Sequence, residues 1–110
     1  MSSLTMIESE EHFSKLTGQD NVSVVMFSAP WCGNCKLVNS KVVKLSKELT
    51  DVSFAKFDTT ELEDLAIELN ISALPTFKIY KAGVLLKDYT GSKWEKIDEI
   101  IREAAGEPQA

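Results

Sequence analysis

The stretch "FSAPWCGNCKLV", Phe27–Val38, contains both cysteines of the chain, Cys32 and Cys35. Upstream, "NVSVVMFS" is apolar at both parities, as a central strand covered on its two faces should be. Downstream, Cys35, Val38, Val42, Leu45 and Leu49 fall on one stripe of a helix over 33–49. A buried strand therefore hands over to a helix inside this stretch, and the two cysteines sit at the junction.

Working outward, residues 9–17 read as a short helix with Phe13 and Leu16 inward, ended by Gly18. "VSFAKFD", 52–58, is a second strand. "TTELEDLAIEL" is a helix with Leu62, Leu65, Ala66 and Leu69 on one side, and Thr60 with Glu63 fits a capping box. "PTFKIYKAGVLLKDY" is a hairpin turning at Ala82–Gly83. A last helix starts at Ser92, with Glu95 completing a second capping box. Trp94, Ile97 and Ile101 form its inner stripe, and Gly106 and Pro108 end it. A short strand at Leu4–Ile7 precedes everything. The order β-α-β-α-β-α-β-β-α predicts an α/β fold, a mixed sheet with helices on both faces. A right-handed crossover makes 22–28 and 52–58 parallel neighbours.

The chain has 110 residues, 44% hydrophobic and 26% charged, the profile of one globular domain spanning 1–110. Its net charge of −5 disfavours nucleic acid, whose phosphates need lysine and arginine. "MSSLTMIESEEHF" has no basic end or long apolar run, so no signal peptide is read there. "GEPQA" is no retention or lipidation signal, and runs such as "VVMF" are too short to span a membrane. The expected setting is the cytoplasm, and a monomer is the expected state. In a reducing compartment a lone C-x-x-C indicates catalysis or metal rather than a structural staple.

Placement at the helix mouth gives the cysteines different tasks. Cys35 lies on the apolar stripe and should face the core; Cys32, a turn earlier, should meet solvent. Spacing of i, i+3 keeps the sulfurs adjacent, so a disulfide can open and close with little backbone movement. The unpaired N–H groups and dipole of a helix N-terminus favour an anion. Cys32 should therefore ionise readily, attack a substrate disulfide, and be released when Cys35 attacks it in turn. Other chemistries stay open. Zinc asks for about four ligands, and the chain offers two cysteines and one distant histidine, His12, which reads as an exposed helix residue. A cluster shared between two chains could draw on four cysteines, and two inert core thiols would need no chemistry at all. Lys36, Lys41, Lys44 and Lys47 read as a solvated helix face.

Taken together, "APWCGNCK", "ALPTF", "FAKFD" and Thr90–Gly91 resemble the landmarks of the thioredoxin family, whose active site is usually written WCGPC. The resemblance covers nearly the whole chain and implies the thioredoxin fold. It also implies a protein-disulfide reductase cycle, with disulfide-containing proteins as substrates and thioredoxin reductase or the glutathione system as electron donor. No cofactor is expected beyond the redox-active Cys32–Cys35 disulfide. It makes Cys32 the nucleophile and Cys35 the resolver, Trp31 an apolar cover beside them, and Pro75 a cis-proline facing the dithiol. Lacking an N–H, Pro75 leaves Leu74 to offer its backbone to an extended substrate. Gly91 would allow close approach to the substrate groove, unless it only makes the turn before the last helix. Gly33, Asn34 and Lys36 lie inside the matched motif and count as supporting positions.

Several positions depart from the family. Met26 stands where most members carry a buried aspartate that helps take the proton from the resolving thiol. Methionine fills a core and moves no proton. Lys56 stands where the partner of that aspartate is usually found, so either it replaces the carboxylate as base for Cys35 or it snorkels to solvent. Asn34 replaces proline and adds an N–H at the helix mouth. A hydrogen bond to a charged group is worth roughly 1.5–3 kcal/mol; even half of it directed at the Cys32 thiolate would shift the couple by tens of millivolts, at roughly 30 mV per 1.4 kcal/mol. The protein is expected to be less reducing than a standard thioredoxin. Ser28, where many members have an aromatic, should thin the apolar collar. The competing expectations are an oxidase- or isomerase-like member of the fold, and a non-enzymatic domain that uses the groove for redox-controlled binding.

Overall fold

The computed structural model describes residues 4–106. Its elements run β1 (Thr5–Met6), α1 (Glu10–Thr17), β2 (Val22–Ser28), α2 (Gly33–Glu48), β3 (Ser53–Asp58), α3 (Glu63–Glu68), β4 (Thr76–Lys81), β5 (Val84–Thr90) and α4 (Trp94–Ala105). The element order is the expected one. The strands form one sheet in the order β1-β3-β2-β4-β5. β2 pairs parallel with β3 and antiparallel with β4, so it is central, and all seven of its residues are buried.

Residue parity sorts β2 into two layers. Val22, Val24 and Met26 pack with Val38, Val42 and Leu45 of α2 and Ile97, Ile100 and Ile101 of α4. Val25 and Phe27 pack with Phe13 and Leu16 of α1 and with Leu65 and Ala66 of α3. On this second face Phe27 and Phe57 meet at a tilt of 41° with centroids 4.6 Å apart, and Phe13 meets Phe57 and Tyr80 edge-on. Each such buried large side chain contributes roughly 1.5–3 kcal/mol of transfer free energy. This burial fixes the register of β2, because a one-residue slip would exchange the two faces. None of the helices among the described residues is long and apolar enough to cross a membrane.

Both expected capping boxes are absent. Asp58 Oδ1 accepts from the Thr60 N–H at 2.8 Å and from the Thr60 hydroxyl at 2.6 Å. The Thr60 side chain is thereby engaged upstream, and α3 starts later, with Leu62 at its N-cap and no side-chain cap. α4 likewise starts after Lys93 rather than at Ser92, without a side-chain cap. The Gly91 N–H still donates to Pro75 O, which holds the chain to β4 just before α4 begins. Gly106 ends α4 in the left-handed conformation as expected; Pro108 lies outside the described residues. The hairpin turn is at Ala82–Gly83, both with positive φ, the signature of a two-residue I′ loop. His12 is half-buried rather than exposed. Its Nδ1 accepts from the Glu8 N–H at 3.1 Å, while Ser9 caps α1 by accepting from the His12 N–H.

Candidate active site

The pairing of β2 with its neighbours gathers the expected site residues at one end of the sheet. β2 ends at Ser28, and the turn Ala29–Cys32, closed by the Cys32 N–H to Ala29 O at 3.1 Å, leads into α2. Phe27 is opposite Thr76, so the start of β4, with Leu74 and Pro75, lies beside this turn. The Leu74–Pro75 peptide is cis, as the resemblance implied. Thr76 is opposite Thr90, and the Gly91 N–H donates to Pro75 O at 3.0 Å, which places Gly91 at the same end.

Cys32 and Cys35 form a disulfide, with Cα atoms 5.3 Å apart. Cys32 is the N-cap of α2 in extended conformation, and its Sγ accepts from the Cys35 N–H at 3.1 Å. The sulfur thus occupies the place that a serine or aspartate oxygen takes in an ordinary cap, satisfying one of the unpaired N–H groups of the first turn. Reduced and ionised, the same sulfur would receive a charge-assisted bond, roughly twice as strong as a neutral one.

The expected contrast in exposure is not seen. Cys32 is 6% exposed and Cys35 3%. In the oxidised pair the Cys32 sulfur turns inward to meet both the Cys35 sulfur and the Cys35 N–H, so both lie below the surface. Trp31, one residue upstream, is 72% exposed and presents its indole outward. Gly33 and Asn34 are exposed on the first turn, and an added Cβ at Gly33 would meet nothing within 4 Å. The N–H directed at Cys32 Sγ is that of Cys35, which any residue at position 34 would leave in place.

Gly91 has a strictly local reason to be glycine. Its φ is +146°, and a Cβ there would stand 2.8 Å from Tyr89 Oη.

Behind Cys35 a recess of about 350 Å³ opens between the first turns of α2 and the ends of β2 and β3. Its lining includes Cys35, Lys36 and Asn39 from α2, Ser28 from β2, and Lys56 and Asp58 from β3. Ser28, Lys56 and Asp58 continue the α2-facing parity of Met26, so the layer that is apolar beneath Val38 and Val42 turns polar beneath Cys35. Met26 is fully buried in the core. Ser28 is 2% exposed and belongs to this inner recess, not to an outer collar. Lys56 is half-buried and shares the recess with Cys35. Asn39 and Asp58 were not singled out from sequence. The signals that reach them are helical spacing, since position 39 lies one turn after Cys35, and strand parity, since position 58 is in register with Ser28. Among the described residues no three histidine, cysteine or acidic side chains are grouped to hold a metal.

Comparison with known proteins gives the same picture. The family profile of thioredoxin matches residues 3–103. Thioredoxin from Oryctolagus cuniculus is 33% identical over 99 residues, covering 88% of this chain and 94% of that protein. The crystal structure of Malassezia sympodialis thioredoxin superposes with a TM-score of 0.89 at 33% identity, over 96% of this chain and 93% of the other. A chain from a study of how a yeast mitochondrial 1-Cys peroxiredoxin is resolved through glutathione and thioredoxin systems superposes at 0.87, with 31% identity and coverage of 94% and 99%. A helix-capping dithiol beside a cis-proline, on a sheet shared over nearly the full length with these proteins, leaves one assignment: this chain belongs to the thioredoxin family and is a thiol–disulfide oxidoreductase.

Proposed function

We propose that the chain reduces protein disulfides, with Cys32 as the attacking sulfur and Cys35 as the resolver. The observation that carries this reading is the hydrogen bond from the Cys35 N–H to Cys32 Sγ at the mouth of α2. An acceptor sulfur at a helix N-cap is the one better stabilised as an anion. In the cycle, the Cys32 thiolate forms a bond to one sulfur of the substrate disulfide. The other substrate sulfur leaves with its electron pair and takes a proton. Cys35 then loses its proton and attacks Cys32 Sγ; the mixed disulfide breaks and the second substrate thiol departs. The substrate gains two electrons and the dithiol becomes the Cys32–Cys35 disulfide.

The supporting roles follow the same reading. Trp31 offers an outward apolar face, and Leu74 offers backbone for strand-like pairing with an extended substrate. Lys56 shares the recess with Cys35, which supports a role for it, or for water beside it, in the deprotonation of Cys35. The donor is thioredoxin reductase or the glutathione system, as membership of the thioredoxin family suggests, and the setting is a reducing compartment such as the cytoplasm, where a lone C-x-x-C serves catalysis.

The couple is less reducing than that of a standard thioredoxin. A carboxylate at position 26 would repel a nearby thiolate; Met26 removes that penalty on the reduced form. This also favours an oxidase- or isomerase-like direction of use as the second reading. Insulin reduction by dithiothreitol with catalytic protein tests the first. Turnover should vanish in Cys32→Ser, and Cys35→Ser should accumulate a mixed disulfide; unchanged turnover in Cys32→Ser would refute it. Equilibration with glutathione decides the second, which is lost if the potential equals or lies below the usual family value.

A further inference from the structure

Asn39 is the polar group of the recess that neither the family motif nor the disulfide explains. Its Oδ1 is buried and accepts no hydrogen bond among the described residues. Leaving a buried acceptor unpaired costs roughly 1–3 kcal/mol, so a partner that exists in only one state of the protein would give the position a purpose. The oxidised pair contains no S–H. Reduction creates two thiols, and that of Cys35 lies on the same recess as Asn39. Cys35 and Asn39 are four residues apart on α2. Helical side chains lean toward the N-terminus, so the Asn39 amide leans over the turn that carries Cys35.

We propose that Asn39 is a positioning residue for the resolving cysteine: in the reduced protein its Oδ1 accepts the hydrogen bond of the Cys35 thiol. This rests on the assignment of Cys35 as resolver. A hydrogen bond to the neutral thiol disfavours its ionisation, so Cys35 stays protonated while Cys32 is the anion. The bond also exists only after reduction, and therefore favours the reduced form. The charged groups facing Cys35 across the recess are Lys36 on its own helix and Lys56 and Asp58 on β3. When Cys35 attacks the mixed disulfide, its proton breaks its hydrogen bond to Oδ1 and leaves the sulfur for water beside Lys56 in the recess, and the departing substrate sulfur takes one up from solvent.

The S–H stretching band of the reduced Cys32→Ser protein tests this directly, because Cys35 is then the only thiol in the chain. The band should lie at the lowered frequency of a hydrogen-bonded thiol. It should rise to the unbonded position when Asn39→Leu is added, and stay lowered with Asn39→Asp, which keeps an acceptor oxygen. In the otherwise native protein, Asn39→Leu should shift the glutathione equilibrium toward the disulfide by roughly two- to tenfold, the range of a neutral hydrogen bond. An S–H band at the same frequency with Asn39 and with Leu would overturn the proposal. The band does not depend on turnover, so this failure is distinct from a failure to reduce insulin. If Asn39→Leu does not fold, the comparison of Asn39→Ala with Asn39→Asp carries the same two outcomes.

Discussion

Met26 and Lys56 are in register on the neighbouring strands β2 and β3, and both project toward the layer covered by α2. Met26 is fully enclosed in the apolar core, while Lys56 reaches the recess that Cys35 lines. The boundary between dry core and polar recess therefore runs between these two side chains.

Placing a carboxylate on the dry side should be costly. Met26→Asp is expected to destabilise the fold by about 2 kcal/mol at neutral pH, because the carboxylate is desolvated and Lys56, in register with it on β3, offsets only part of that cost. Burial raises the folded pKa of such an aspartate above its unfolded value of about 3.9. The unfolded chain then gives up its proton first. The loss relative to wild type should be smallest below about pH 4 and grow as pH rises through the raised folded value. Urea unfolding of both proteins from acid to neutral pH checks the sign. The same variant should be more reducing against glutathione.

On the polar side, Lys56→Met should alter the pH profile of disulfide reduction while leaving alkylation of Cys32 unchanged. General acid–base help is typically worth about 10²–10⁴-fold, though solvent in the recess should limit the loss to the lower end. Superimposable wild-type and variant profiles would assign Lys56 to solvation of the surface alone.

The two glycines flanking the site should respond oppositely. Gly91→Ala forces a Cβ against the Tyr89 ring at a φ unfavourable to side chains, and should cost about 3 kcal/mol. Adding Tyr89→Leu should return part of that loss by removing the contact, but not the backbone part. Gly33→Ala meets no neighbour and should leave the unfolding midpoint unchanged or raised. Chemical denaturation of the four proteins separates these effects.

Which parts of this were legible in the sequence follows from the range of the forces involved. β2 and α2 were readable because their apolar patterns are local, and the same pattern predicted the two layers. The cis-proline came from the "ALPTF" resemblance rather than from any local signal. The capping box at Thr60 misleads because a competing partner, the Asp58 carboxylate, comes from outside the motif; the one at Ser92 fails because α4 begins after Lys93, one residue later, with no side-chain cap. The inward turn of Cys32 was hidden because it depends on a covalent bond that closes only in the fold. Ser28 was assigned to the wrong surface although its parity with Met26 already pointed inward. Asn39 lies off the apolar stripe of α2, so periodicity carries no signal for it; only its place one turn after Cys35 does.

Away from the site, Tyr80 gives the fold an alkaline limit. Burial, aided by the nearby Asp88 carboxylate, pushes its phenol from 10.0 up to about 12. The folded state keeps this proton after the unfolded chain has lost it, so the contribution is complete below pH 10 and is lost as pH climbs toward 12. Tyr80→Phe should remove that segment of the stability–pH curve. Tyrosinate absorbance of the native protein should show one of the two tyrosines ionising at about 12.

The central claim is that α2 makes Cys32 an anion and leaves Cys35 a thiol. It is tested most directly by reducing the protein, alkylating it under native conditions across a pH series, and mapping the label by mass. The expected result is preferential modification of Cys32, with a rate midpoint below the ordinary thiol value of about 8.5. Equal labelling of Cys32 and Cys35 with an unshifted midpoint would contradict it.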